Sequence, residues 1–123
     1  MGGCHIYTLS WTAHESGIID NRWHGLQFPA GICIIMSNEC VKYVVQHKYD
    51  FKQNVIDDVA FGIFCKEHNI VVSQVGNCVI NAPYQDGVMV YRNKHANPKS
   101  RKHDVYNMLS VAKAIQVACI AKT

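Results

Sequence analysis

The chain has 123 residues, 49% of them hydrophobic and 17% charged, which excludes a disordered segment and fits one globular domain with a modest core. A formal net charge of +3 with histidine neutral is too small to imply a nucleic-acid partner. No segment is apolar over a length that would span a bilayer, so a membrane span is not expected either.

The N-terminal MGGCHIYTLSW lacks a basic start followed by an apolar run, so it does not read as a signal peptide, and Ile6 stands where the myristoylation pattern needs Ser or Thr. A cytoplasmic location is the expectation. The six cysteines, Cys4, Cys33, Cys40, Cys65, Cys78 and Cys119, form no C-x-x-C pair, which argues against a zinc knuckle. Most lie in apolar segments, where a thiol behaves as a small hydrophobe. That favours a reduced compartment over a disulfide framework.

Residues 4–10 read as a short strand. Residues 13–30 show no clear period, contain Gly17, Gly25 and Pro29, and read as a long loop of the kind that often carries function. GICIIM, residues 31–36, is a continuous apolar run that suits a strand buried on both faces. Ser37 is placed to cap a helix running to about Gln46, with Cys40, Val41, Val44 and Val45 on one face.

The stretch NVIDDVAFGIFCKEHNI, residues 54–70, predicts a helix over 58–68. Val59 and Ile63, Ala60 and Phe64, and Phe61 and Cys65 are each four apart, and a helix apolar on so many sides is mostly buried. Residues 70–75 read as a strand, with further short strands expected over 78–80 and 87–91 around the turn signal PYQDG. A final helix over 104–121 carries the stripe Val105, Met108, Leu109, Ala112, Ile115 and Cys119. This order of elements predicts an α/β or α+β domain around one main core.

Three places are candidates for chemistry. Asp57 and Asp58 open the second helix. Free N–H groups and the positive end of the dipole favour carboxylates there in any case. A carboxylate held rigidly at the head of a buried helix also serves as a general base where it opens onto a cleft. Gly31 precedes the apolar run, where a glycine admits close approach of backbone or ligand; the alternative is a tight turn into a core strand. The basic stretch RNKHANPKSRKH, residues 92–103, offers Arg92, Lys94, Arg101 and Lys102 to a diphosphate, or is a solvated loop. The seven histidines show no close ligand spacing and read as scattered surface residues rather than a metal site.

Taken in this order and spacing, FPAGICIIMSNE, DDVAFG, VYRNK, SRKHD and VYNML resemble the second half of GT-A-type glycosyltransferases, near the fringe and β-1,3-galactosyltransferase-like enzymes and their relatives in large DNA viruses. In that family a segment like Y-x-S-G-x-G-x-x-x-S-x-D enters a buried strand and then a helix, and an acidic pair followed by V-x-x-G opens a buried helix. The resemblance covers about residues 23–115. It rests on order and spacing rather than on any single motif.

What the resemblance implies is a partial GT-A-like α/β fold, a mixed sheet flanked by helices, acting on a nucleotide-sugar donor and a glycan or protein hydroxyl acceptor. Asp58 would be the general base and Asp57 would orient the acceptor or brace the loop. Ala30 and Gly31 would form a narrow floor near the sugar, and Arg92 and Lys94 would lie toward the diphosphate. A divalent cation, Mn²⁺ or Mg²⁺, would neutralise the leaving group.

The chain departs from the family pattern in several places. It has no D-x-D; Ala30 replaces the usual serine; Met89 and Val90 precede Tyr91 where the family can carry a histidine, and His95 sits off register. The expectation is therefore an acceptor-side half whose nucleotide-binding half, with most of the cation's ligands, belongs to residues outside these 123. A non-catalytic α/β remnant or interaction domain is the alternative, and a small hydrolase using the aspartate pair is a third reading.

Overall fold

The computed structural model describes residues 1–122. It is a mixed α/β fold of small sheets and three helices. The chain divides into two compact units, Met1–Val75 and Gly76–Thr123.

The first unit carries strands β1 (Gly2–Gly3), β2 (Ile6–Thr8), β3 (Gln27–Pro29), β4 (Ile34–Ile35) and β5 (Ser73–Gln74), with helices α1 (Asn38–Gln46) and α2 (Asp57–Glu67). β2 and β3 pair antiparallel, with Tyr7 opposite Phe28. β1 lies between β4, antiparallel, and β5, parallel. α2 packs against β3.

The core forms where β3, α2 and the preceding turns meet. Leu9, Ile18, Leu26, Phe28, Val59 and Ile63 make one buried cluster, with Trp23 and Val55 packed against it. Burial of side chains of this size stabilises by roughly 1.5–3 kcal/mol each. The expected long loop over 13–30 is thus a main source of the core. It contains a short 3-10 turn at His14–Ser16, a bridge between Ala13 and Ile18, and β3 itself. Single apolar residues separated by turns show no period, which is why the contribution was not visible in the pattern.

α2 follows its pattern closely. Val59, Ala60, Gly62, Ile63, Phe64 and Cys65 are all buried, and Phe51 stacks on Phe64 with ring centroids 4.3 Å apart. The helix ends where Asn69 adopts φ 54°. The Ile70 N–H then donates to the Cys65 carbonyl at 2.8 Å, a Schellman closure in which asparagine tolerates the left-handed turn.

α1 begins as expected. The Ser37 hydroxyl accepts the Cys40 N–H at 3.1 Å. It buries no residue completely, and Val41 and Val45 are exposed.

Residues 31–36 do not form a strand buried on both faces. Only Ile34–Ile35 is a strand, both residues are half-buried, and Gly31 is exposed in a turn. The physical reason is position: β4 is an edge strand, paired with β1 alone. The expected strand over 70–75 likewise contracts to Ser73–Gln74.

The second unit contains β6 (Cys78–Ile80) and β7 (Val90–Arg92), paired parallel, and helix α3 (Arg101–Ala121) after a 3-10 turn at Pro98–Ser100. Tyr91 ties down the PYQDG turn, its hydroxyl bonding both the N–H and the carbonyl of Gln85. α3 does not bury the predicted stripe. Val105 and Leu109 are 60% and 65% exposed, while Asp104, Asn107 and Val111 are buried. Hydrogen bonding decides this face. Asp104 accepts from the His95 backbone N–H at 2.9 Å, and the Asn107 amide donates to the Asn93 side-chain oxygen at 2.9 Å. Buried polar groups are tolerated where they are paired in this way.

Candidate active site

α2 is seated by its apolar residues, and that seating fixes Asp57 and Asp58 at its first turn. Ile56 occupies the capping position and provides no side-chain acceptor. The two carboxylates take part of that work themselves. Asp57 Oδ1 accepts the Asp58 N–H at 2.8 Å, and Asp58 Oδ1 accepts the Val59 N–H at 2.9 Å.

The two differ in environment. Asp57 is exposed and Asp58 is half-buried. Asp57 lies on the wall of an open hollow of about 350 Å³ shared with Val44, Lys48, Phe51 and Phe61. Asp58 faces Gly31. A Cβ built on Gly31 would stand 3.7 Å from Asp58 Oδ2. Ala30 beside it is buried, and its N–H donates to the His5 carbonyl at 2.9 Å. Sequence separation between Gly31 and Asp58 is 27 residues, so this apposition is a product of the fold.

Gly31 is not crowded, contrary to the close approach expected of it. A 3.7 Å separation is ordinary contact, and the residue does not need a positive φ. The crowded glycine on this side of α2 is Gly62, whose added Cβ would meet Phe28 Cβ at 2.5 Å.

Arg92 and Lys94 belong to the second unit and both are exposed. Arg92 is the last residue of β7, and the Lys94 N–H donates to the Asn81 side-chain oxygen at 2.8 Å. His95 is fixed by Asp104, Nδ1 to Oδ1 at 2.5 Å. Burial works to raise the Asp104 pKa, but hydrogen bonds from the His95 side chain and backbone outweigh it, and Arg101 adds to them; the carboxyl is held below its usual value.

One arrangement escaped the sequence reading. Tyr43, His47, Phe64 and His68 form a ring cluster between α1 and α2, with His68 stacked on Phe64 at 4.2 Å and His47 on Tyr43 at 4.1 Å. His68 Nδ1 lies 2.9 Å from the Tyr43 hydroxyl, and Nε2 lies 3.1 Å from Asp50 Oδ2. His68 is thus not a scattered surface histidine. The signal was present as two i, i+4 pairs, Tyr43–His47 and Phe64–His68, on consecutive helices.

Among the described residues, no three His, Cys, Asp or Glu side chains are placed together to hold a metal ion. The divalent cation implied by the resemblance therefore has no ligand set in the described part of this chain, and no reaction step is routed through it. Among the described residues no disulfide links the cysteines, and burial pushes the Cys65 thiol up to about 11. No described helix is long and apolar enough to cross a membrane. No family model, no curated protein and no solved structure matches the chain.

Proposed function

We propose that the chain is the acceptor-side segment of a glycosyltransferase that uses a nucleotide-sugar donor, with Asp58 as the general base. The observation that carries this reading is the apposition of Asp58 Oδ2 and Gly31 at a site held by buried residues on both sides. Oδ1 is engaged by the Val59 N–H, which fixes the carboxylate plane and leaves Oδ2 for a proton. The open side of Gly31 leaves room for an acceptor hydroxyl. As that oxygen attacks the anomeric carbon, Asp58 takes its proton, and the bond from the anomeric carbon to the diphosphate breaks with its electron pair. Proton removal by a positioned carboxylate contributes typically about 10²–10⁴-fold. Asp57 orients the acceptor from the adjoining hollow.

Base catalysis alone does not position or activate the donor, and preorganised charge on the leaving group is usually the larger effect. The 123 residues alone are therefore expected to give no transfer with nucleotide-sugars and Mn²⁺. Joined to a compatible nucleotide-binding half they are expected to become active. In that active form Asp58→Asn should lower turnover by about 10²-fold or more while sparing donor binding. Unchanged turnover in Asp58→Asn refutes the assignment.

A second reading, a non-catalytic interaction domain, is favoured by one observation. α3 presents Val105, Tyr106, Leu109, Val117 and Ile120 largely exposed. Sedimentation of the chain with Leu109→Lys, compared with the parent, tests it. A loss of association in the variant supports that reading, and a monomer in both counts against it.

A further inference from the structure

The turn after His14–Ser16 and the segment leading into α2 close on one another. Gly17 has φ 78°, and a Cβ there would stand 1.9 Å from the Asn54 carbonyl oxygen. The Ile56 N–H donates to the Ser16 carbonyl at 2.9 Å. This contact clamps the segment that runs directly into Asp57 and Asp58 against the loop carrying Asp20, Arg22 and Trp23. Between them lies a hollow of about 240 Å³, lined by Gly17 and Trp23 on its apolar side and by Asp20, Arg22, Lys52 and Asn54 on its polar one. That is below the roughly 300–1,000 Å³ of sites for drug-sized ligands and suits a single ring.

The charges of the hollow are already compensated. Arg22 Nε and Nη2 bind both oxygens of Asp20 at 2.7–3.0 Å. The Arg22 hydrogen bonds hold the Asp20 carboxyl down at about 2, so the pair stays ionised at neutral pH. Lys52 pairs with Glu67 at 3.2 Å. An anionic or cationic ligand therefore finds no unpaired counter-charge.

Hydrogen-bonding capacity remains. Arg22 keeps its Nη1 hydrogens, and the Asn54 side chain offers two donors and an acceptor. Trp23 is half-buried against the core cluster, and an aromatic face attracts the weakly positive C–H bonds of a ring laid on it. An aromatic plate beside a planar amide and a planar guanidinium–carboxylate pair, with no net charge, matches a polyhydroxylated neutral ring.

We propose that this hollow binds one neutral hexopyranose ring and is the acceptor subsite for the reaction assigned to Asp58. It rests on that assignment for its place in the reaction, though not for its binding chemistry. The segment that forms one wall, through Asn54 and Val55, continues within three residues into Asp57 and Asp58, and this continuity of chain is what links the hollow to the proposed base.

The test uses the full chain carrying Trp11→Phe, so that Trp23 is the remaining tryptophan. Methyl glycosides of glucose, galactose and N-acetylglucosamine are titrated while Trp23 fluorescence and saturation-transfer NMR are followed. At least one glycoside is expected to bind saturably, and Asn54→Ala to weaken it about tenfold, the share of one hydrogen bond. Trp23→Phe keeps an aromatic plate and the fold, and retains weaker binding by NMR. Glucose 6-phosphate should bind no better than the methyl glucoside.

No saturable binding by any of the three glycosides overturns the proposal, as does binding indifferent to Asn54→Ala or stronger for the phosphate. The two readings fail separately. With transfer read in the active form joined to a nucleotide-binding half, its loss in Asp58→Asn without glycoside binding removes the subsite and keeps the base. Glycoside binding with transfer unaffected by Asp58→Asn keeps the hollow as a sugar site and removes the base.

Discussion

Gly62→Ala is expected to destabilise the first unit, and the structure sets the size of the effect. The added Cβ would stand 2.5 Å from Phe28 Cβ, 3.0 Å from the Gln27 carbonyl oxygen and 3.2 Å from Leu26 Cδ2. Carbon atoms prefer separations of about 3.5–4.0 Å, so α2 and β3 must part by roughly 1 Å. Neither Phe28 Cβ nor the Gln27 carbonyl can rotate away, and Phe28 is 2% exposed. Overpacking of this kind costs roughly 1–3 kcal/mol. Alanine's better helix propensity offsets up to about 1 kcal/mol of it. Because the clash is with atoms that cannot rotate away, the cost lies in the upper part of that range, about 2–3 kcal/mol, and the net loss is about 1–2 kcal/mol, a fall in melting temperature of roughly 5–15 °C for a unit of this size. The assay is urea and thermal unfolding followed by far-UV dichroism, with Gly31→Ala measured beside it. Gly31→Ala meets only ordinary contact with Asp58 and is expected to be neutral or to stabilise by about 0.4–1 kcal/mol through the unfolded chain. A Gly62→Ala protein as stable as the parent would refute the packing argument.

Ser37→Ala removes the α1 cap and should cost about 0.5–2 kcal/mol; since α1 buries no residue completely, the loss should show as faster amide exchange in residues 38–46 before any change in α2, and unchanged exchange there would contradict it. Alkylation at pH 8 followed by peptide mass spectrometry should label the exposed Cys119 early and Cys65 last, because Cys65 is buried and its thiol is pushed up to about 11 and the thiolate is the reacting form. In the second unit the Asp104 carboxyl is held below its ordinary value, so its contribution to stability is complete above the unfolded-state value of about 3.9 and is lost as pH falls through the lower folded value. Asp104→Asn should therefore flatten the acid limb of the stability profile of α3, read by dichroism, and an acid limb identical to the parent's would contradict the pairing with His95.

Legibility in the sequence followed the kind of force involved. α2 was readable almost to the residue, because a helix buried on most sides repeats its apolar pairs at four. α1 was readable from Ser37, whose hydroxyl caps it. α3 was readable as a helix, and its buried face was not. Val105, Met108 and Leu109 look like a core stripe, yet Asp104 and Asn107 are the ones inside, because their partners His95 and Asn93 lie nine and fourteen residues away in the segment before the helix. Residues 31–36 misled for a different reason. Apolar composition says a segment can be buried; it does not say how many neighbours a strand will have, and β4 has one. Of the candidate site residues, Asp58 and Gly31 are brought together and Ala30 is buried beside them. The hollow at Trp23 was not legible, since it depends on Gly17 lacking a Cβ opposite Asn54, and no periodicity records a contact across 37 residues of chain.

The packing of α2 and the geometry at Asp58 are one problem. Asp58 and Gly62 are four apart on the same helix, so they lie on the same face one turn from each other. Gly62 faces Leu26, Gln27 and Phe28, while Asp58 faces Gly31, just beyond the end of β3. The distance at which β3 and the turn after it approach α2 is therefore set at Gly62, deep in the core, and read out at Asp58, half-buried at the helix head. A residue with any side chain at 62 would hold β3 off the helix and draw the turn at Ala30 and Gly31 away from the carboxylate. In the reaction proposed for Asp58, a displacement of about 1 Å would be enough to cost on the order of 10²-fold in rate. That gives the glycine in DDVAFG a role that helix propensity argues against. Gly62 weakens α2 as a helix and strengthens it as a partner of β3, and the second effect places Asp58 against Gly31.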